Sequence, residues 1–169
     1  MKKLTDKLFQ DFWRIDGARF KASMVDSPTY VLQNGAYPPR LLLVKLPSFI
    51  VPGTTIKNAR GDIFLLLQYP TTQAGCKSFR AVQATESFKW ERRIDIIDTV
   101  SQMPKSYTID PKGTLYGTYQ NLAGDKFEGF TISKKSFWTG QSVSVNDLVD
   151  DCPVIKVQEA FGAYLVTVR

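Results

Sequence analysis

The chain has 169 residues, 43% apolar and 12% aromatic, with 22 basic and 16 acidic side chains and a formal net charge of +6. This composition excludes a disordered or low-complexity chain, and the length suits one domain or two small β modules packed together. Histidine is absent, which excludes Ser-His, Cys-His and His-metal chemistry.

The first segment is predicted to be helical. Leu4, Leu8 and Phe12 recur at a spacing of four, Phe9 and Trp13 broaden the stripe, Thr5 is a cap and Gly17 ends it. Residues 1–16 are therefore expected to form an N-terminal helical arm that packs on its own sheet or reaches a neighbouring subunit. No signal-peptide core follows Met1-Lys2-Lys3, and no run approaches the ~18 apolar residues of a membrane span. An intracellular origin and no membrane partner are expected.

After Gly17 the period changes to two. Ala18, Phe20, Ala22 and Met24 alternate with Arg19, Lys21 and Ser23, the pattern of a half-buried strand. Tyr30–Leu32 reads as a short strand before the hairpin signal Asn34-Gly35. Leu41–Val44 and Ile63–Leu67 are apolar on both faces and are expected to be central strands. Between them Pro52-Gly53 turns the chain, and Asn58–Asp62 forms a further turn. Its Arg60-Gly61-Asp62 tripeptide is too short to be specific. Residues 70–78 read as an exposed loop.

Residues 88–96 carry the clearest alternation. Phe88, Trp90, Arg92, Ile94 and Ile96 share one face, and Lys89, Glu91, Arg93 and Asp95 the other, predicting a long strand with one apolar side. Pro104–Gly113 reads as a polar connector containing the turn Asp110-Pro111-Lys112-Gly113. Hairpins are then expected over Leu115–Ile132 and over Val154–Val168, the latter turning at Phe161-Gly162. Many short strands with Gly and Pro turns predict a mainly β fold: an antiparallel barrel or sandwich over residues 17–169, with a short N-terminal helix and long loops. A division into two packed modules would fall near 17–102 and 103–169. The segment 49–56 echoes 137–143, through duplication or through the common grammar of small barrels.

Charge is unevenly distributed. Residues 1–85 carry 12 basic and 5 acidic side chains, a net +7, and the remainder carries a net −1. Such asymmetry suits either an anionic partner or an inert solvated face. Lys89, Arg92 and Arg93 surround Trp90, and Lys134-Lys135 precede Phe137 and Trp138. Cations interleaved with aromatics suit single-stranded nucleic acid, although Phe88 and Trp90 also suit a core. Cys76 and Cys152 lack metal-ligand spacing and are expected to be free. Asp147, Asp150 and Asp151 form an acidic cluster in a turn, without a Ca²⁺-loop spacing. No phosphate-binding glycine loop is present. No catalytic residue, cofactor or metal is expected, and the chain is read as a non-enzyme.

The closing segment, Gly140–Val145 through Val154–Val168, resembles the C-terminal β-barrel hairpins of tailed-bacteriophage neck proteins, the head-completion or stopper group. The resemblance implies a virion structural protein assembled in the host cytoplasm. It would form a homo-oligomeric ring at the head–tail junction, touching portal, adaptor or tail proteins and making passing contact with DNA. In that reading residues 4–13, 70–77 and 103–113 are the engaging arms. Phe9, Phe12, Trp13, Phe49, Tyr69, Phe137 and Trp138 are the candidate subunit-interface residues, and Lys89, Arg92, Arg93, Lys134 and Lys135 the candidate anionic-partner contacts. The alternative is a small β-barrel module that binds nucleic acid or glycan.

Overall fold

The computed structural model describes residues 8–26, 40–73, 75–119 and 135–169, and these hold β-strands with no α-helix among them. Strands β1 (Gln10–Arg14), β2 (Arg19–Asp26), β3 (Arg40–Lys45), β4 (Thr55–Asn58), β5 (Ile63–Gln73) and β6 (Cys76–Gln83) close into one antiparallel barrel. Strands β7 (Glu86–Ile97), β8 (Pro104–Thr118), β9 (Ser136–Thr139), β10 (Leu148–Val149), β11 (Cys152–Ala160) and β12 (Ala163–Val168) close into a second. The division falls at residues 84–85, so β7 belongs with the second barrel and the basic half of the sequence is the first barrel.

The two barrels share one topology. The first runs β1-β2-β3-β6-β5-β4 around its wall, and the second runs β7-β8-β9-β12-β11-β10. Each strand of the second stands where the strand six places earlier stands in the first. The echo between segments 49–56 and 137–143 does not follow this correspondence, because 137–139 belong to β9 while 49–54 come after its counterpart β3.

The predicted N-terminal helix is not present in the described residues, where β1 stands instead. Closure of the first barrel explains this. β1 pairs with β2 through Gln10↔Ala22 to Trp13↔Arg19, and with β4 through Phe12↔Asn58 to Arg14↔Ile56. Backbone groups are thereby satisfied on both edges, whereas a helix this short is marginal alone. Phe12 fits a period of two as well as a period of four, and as a strand residue it enters the core. Residues 1–7, 27–39 and 120–134 lie outside the described residues, and with them fall Leu4, Thr5, the Tyr30–Leu32 strand, Asn34-Gly35 and the 127–132 strand.

Strands that are apolar on both faces are explained by burial on both sides. In β5, Phe64 and Leu66 point into the first barrel with Phe12, Phe20, Leu42, Ile56 and Phe79. Leu65 and Leu67 point outward and meet Trp138, Ala163 and Leu165 of the second barrel. In β9, Phe137 lies inside the second core with Leu115, Val154 and Val166, while its neighbour Trp138 faces the first barrel. Each such buried side chain contributes roughly 1.5–3 kcal/mol, so the contact between barrels is a core in its own right.

Glycines permit the close approach. A Cβ on Gly53 would overlap the carbonyl oxygen of Gly162, and one on Gly140 would overlap that of Gly53. The Gln68 amide donates to the Phe161 carbonyl at 2.9 Å. Phe161 and Gly162 have φ of 56° and 79°, and they join Ala160 to its partner Ala163 in a tight hairpin turn. A phenylalanine with positive φ is strained, and here its ring packs against the apolar contact between the barrels.

Two predicted loops are strands. The segment expected to be exposed at 70–78 is the end of β5 and the start of β6, paired through Thr72↔Lys77 and Gln73↔Cys76. The expected connector at 104–113 is the first part of β8. Its Asp-Pro-Lys-Gly sequence makes a bulge: Trp90 pairs with Gly113 and Glu91 with Pro111, leaving Lys112 extra. Gly113 supplies the positive φ of 98° that a bulge requires. Turn chemistry and bulge chemistry are the same here, and pairing with β7 decides between them.

Candidate functional site

The β7–β8 hairpin outgrows its barrel. β10 reaches β7 only at Trp90 and Glu91, and β9 reaches β8 only at Gly117 and Thr118. Beyond these points, from Arg92↔Asp110 to Ile97↔Pro104, β7 and β8 pair with each other alone among the described residues. At about 3.3 Å per residue the six residues Arg92–Ile97 project about 20 Å.

Apolar side chains cover this arm. Val100 is 91% exposed, Met103 66% and Ile97 61%, and Ile94, Ile96, Tyr107 and Ile109 are exposed as well. Ile94 and Ile96 share a face with Thr108 and Ser106, and Tyr107 and Ile109 share the other with Asp95 and Arg93. The alternation in β7 was therefore correctly periodic, but its outer half has no core beneath it.

The arm is nevertheless well organised. At its tip the Asp98 carboxylate accepts from the Val100 amide at 3.2 Å and from the Ser101 hydroxyl at 2.8 Å. The Asp98 amide donates to the Met103 carbonyl at 3.0 Å, closing the loop. Along the shaft Arg93 pairs with Asp95 at 3.1 Å and lies 4.1 Å from the centre of the Tyr107 ring.

Its root is fixed by a buried carboxylate. Asp147 is 2% exposed. It accepts from the Trp90 indole at 3.0 Å, from Arg92 Nε at 2.9 Å and Nη2 at 3.0 Å, and from the Ser144 amide at 3.0 Å. Burial opposes the charge, but the bonds from Arg92, Ser144 and Trp90 outweigh it and hold this carboxyl below the usual range. The neighbouring Asp150 carboxylate accepts from the Lys89 amide at 2.7 Å, and Lys89 Nζ pairs with Glu91 at 3.0 Å and Asp151 at 3.4 Å.

These contacts decide where the predicted anionic-partner residues stand. Lys89, Arg92 and Arg93 are each engaged by carboxylates within the chain, as is the acidic cluster that pairs with them. Lys135 is exposed and Lys134 lies outside the described residues. No group of three His, Cys, Asp or Glu side chains able to hold a metal ion occurs among the described residues.

The predicted subunit-interface residues separate into two sets. Phe9, Phe12, Phe137 and Trp138 are buried within the chain, so burial corrects the expectation that they face a neighbour. Phe9 covers Leu43 and Cys76, Phe12 and Phe137 fill the barrel cores, and Trp138 joins the barrels. Phe49 is exposed, with its ring edge on Phe20, and Trp13 lines a cleft. The Tyr69 side chain lies outside the described residues. Cys76 is buried and Cys152 half-buried, and both are free.

Sequence reasoning named Met103, at the start of the expected arm 103–113, and Asp147, in the acidic cluster, but missed the tip residues Ile97 and Val100 and the part Asp147 plays at the root. The available signal was Arg92 at an apolar position of the β7 alternation, since a cation there needs a buried anion. No helix of the described residues is long and apolar enough to cross a membrane. The chain matches no protein-family model, and no curated protein or solved structure is significantly similar to it.

Proposed function

We propose that this chain is a non-enzymatic structural protein of a tailed-phage particle, a subunit of a ring at the head–tail junction. The observation that carries the assembly reading is the arm. An isolated two-stranded hairpin is only marginally stable in water, and unpaired edges with exposed apolar side chains invite a partner strand or groove. Here the arm is held stiff by Asp98 at its tip and Asp147 at its root. A second copy of the chain is the partner that a ring supplies, with each arm engaging the next subunit. The two-barrel body then acts as the wall of the ring.

The head–tail placement is supported by the resemblance of residues 140–168 to neck-protein hairpins, and the arm is compatible with it. The mechanism is passive: arms dock, rings stack, and no bond is made or broken.

Electron microscopy of the purified protein is expected to show closed rings at concentrations where Val100→Asp/Met103→Asp shows single particles of one subunit. Native protein that remains dispersed as single subunits under all conditions contradicts the assembly reading.

A further inference from the structure

The outer wall of the first barrel carries a second feature, independent of the arm. On the three adjacent strands β4, β1 and β2, Lys57, Trp13 and Arg19 form one row: Trp13 pairs with Lys57 on one side and Arg19 on the other. Strands lie about 4.8 Å apart, so two cations flank the indole at a separation of about 10 Å. Trp13 and Lys57 also line an open cleft of about 550 Å³, with Arg14 and Arg60 on the same barrel and Tyr116 closing it from the second.

The charges here differ from those elsewhere. Lys89, Arg92, Arg93 and Lys112 of the second barrel each hold a carboxylate. Lys57, Arg19 and the Arg60 side chain hold none among the described residues. Arg14 is partly neutralised by Asp16 at 2.7 Å, and further along the wall Asp11 stands 4.0 Å from Lys21. Among the described residues no carboxylate lines the cleft itself.

The turn that presents Arg60 is built in advance. Asn58 Oδ1 accepts from the Arg60 and Asp62 amides at 2.9 Å each, and Asn58 Nδ2 donates to Asp62 at 2.8 Å. Gly61 has φ of 91°. With both ends of the Asn58 amide occupied, the side chains left to meet a ligand here are cations and rings. Unpaired cations beside the half-buried rings of Trp13 and Tyr116 suit a ligand of phosphates and planar bases.

We infer that this wall of the first barrel binds single-stranded nucleic acid, with Trp13 and Tyr116 as stacking surfaces and Lys57, Arg19 and Arg60 as phosphate contacts. Stacking on aromatics with cations along the backbone is how sequence-tolerant single-strand sites work. The site thus uses cations of the basic half of the sequence, on the opposite barrel from the cations beside Trp90. Nothing in this inference depends on ring assembly.

The test is fluorescence anisotropy of a labelled oligothymidylate with the full chain. Two to three phosphate contacts predict a log–log salt slope of about −1.5 to −2. Trp13→Ala is expected to weaken binding by about tenfold, and Lys57→Glu to weaken it severalfold. Lys156→Glu makes the same change in net charge on β11 and is expected to have little effect. Binding should also quench tryptophan fluorescence in the native chain and not in Trp13→Ala, which retains Trp90 and the fully buried Trp138. Shortening the arm should leave all of this unchanged, which separates failure of the site from failure of the assembly reading.

Several results overturn the inference: no binding by native protein, equal losses for Lys57→Glu and Lys156→Glu, or equal affinity for duplex. Competition by polyglutamate as effective as by the oligonucleotide overturns it in favour of an acidic protein partner. Circular dichroism of each variant checks that these exposed substitutions leave the fold intact.

Discussion

The β1–β2 hairpin of the first barrel and the β7–β8 hairpin of the second occupy the same place in the same strand order. One stops at the barrel rim, where the Arg14 amide bonds the Ala18 carbonyl at 2.8 Å and Gly17 turns the chain. The other meets a glycine of nearly the same φ, Gly113, and continues through it as a bulge into a projecting arm. In the first hairpin Phe12 and Phe20 are buried in the core, while in the second Ile94, Ile96 and Tyr107 face solvent. A repeated scaffold can thus keep stability in its shared core and place recognition in the one hairpin that is allowed to grow. The comparison requires that damage to the core and damage to the arm have different consequences.

The largest effect is expected where the barrels join. Trp138→Ala removes a fully buried side chain and is expected to lower stability by about 3–5 kcal/mol, measured by urea unfolding. A loss under about 1 kcal/mol would mean that the barrels do not share a core.

Next comes the root of the arm. Asp147→Ala leaves the Trp90 indole and the Arg92 guanidinium without their acceptor, and about 2–4 kcal/mol is expected to be lost. Because the folded-state pKa of Asp147 is lowered, its contribution is complete above the unfolded carboxylate value of about 3.9 and is lost as pH falls through the lower folded value. Acid titration of stability should therefore be shallower below about pH 4 in Asp147→Asn than in the native chain. Parallel acid limbs would count against the proposed network.

At the tip the comparison predicts small effects on stability and a large one on association. Val100→Asp with Met103→Asp should change unfolding free energy by less than about 0.5 kcal/mol, as for other exposed positions, while eliminating self-association. A thermal scan beside a light-scattering mass separates the two. If stability falls as far as in Trp138→Ala, the tip is folded against the body and the two hairpins are alike after all.

Much of the barrel grammar was legible in the residues, and the failures share a cause. Strict alternation located β2 and β7, and two-sided apolarity marked β3 and β5 as covered on both faces. Alternation specifies a face but not what lies against it, so Ile94 and Ile96 looked like core residues. Phe137 and Trp138 read as subunit-interface residues, although consecutive aromatics in a four-residue strand need cover on both sides within the chain. The spacing of Leu4, Leu8 and Phe12 suited a helix, and only barrel closure, a long-range constraint, makes β1 a strand. The site was less legible than the fold. Asp147 lies more than fifty residues from Arg92, and the row Lys57–Trp13–Arg19 exists only through strand register.

The central claim is that the arm joins copies of this chain, and the most direct measurement is solution mass with and without it. Residues 94–108 would be replaced by an Asn-Gly turn joining the paired residues Arg93 and Ile109, which closes the hairpin near the rim in native register, as its counterpart in the first barrel already does. Sedimentation equilibrium is predicted to give a concentration-dependent oligomer for the native chain and a folded monomer for the shortened one. An unchanged oligomer in the shortened chain would contradict the account, as would a native chain that is monomeric throughout.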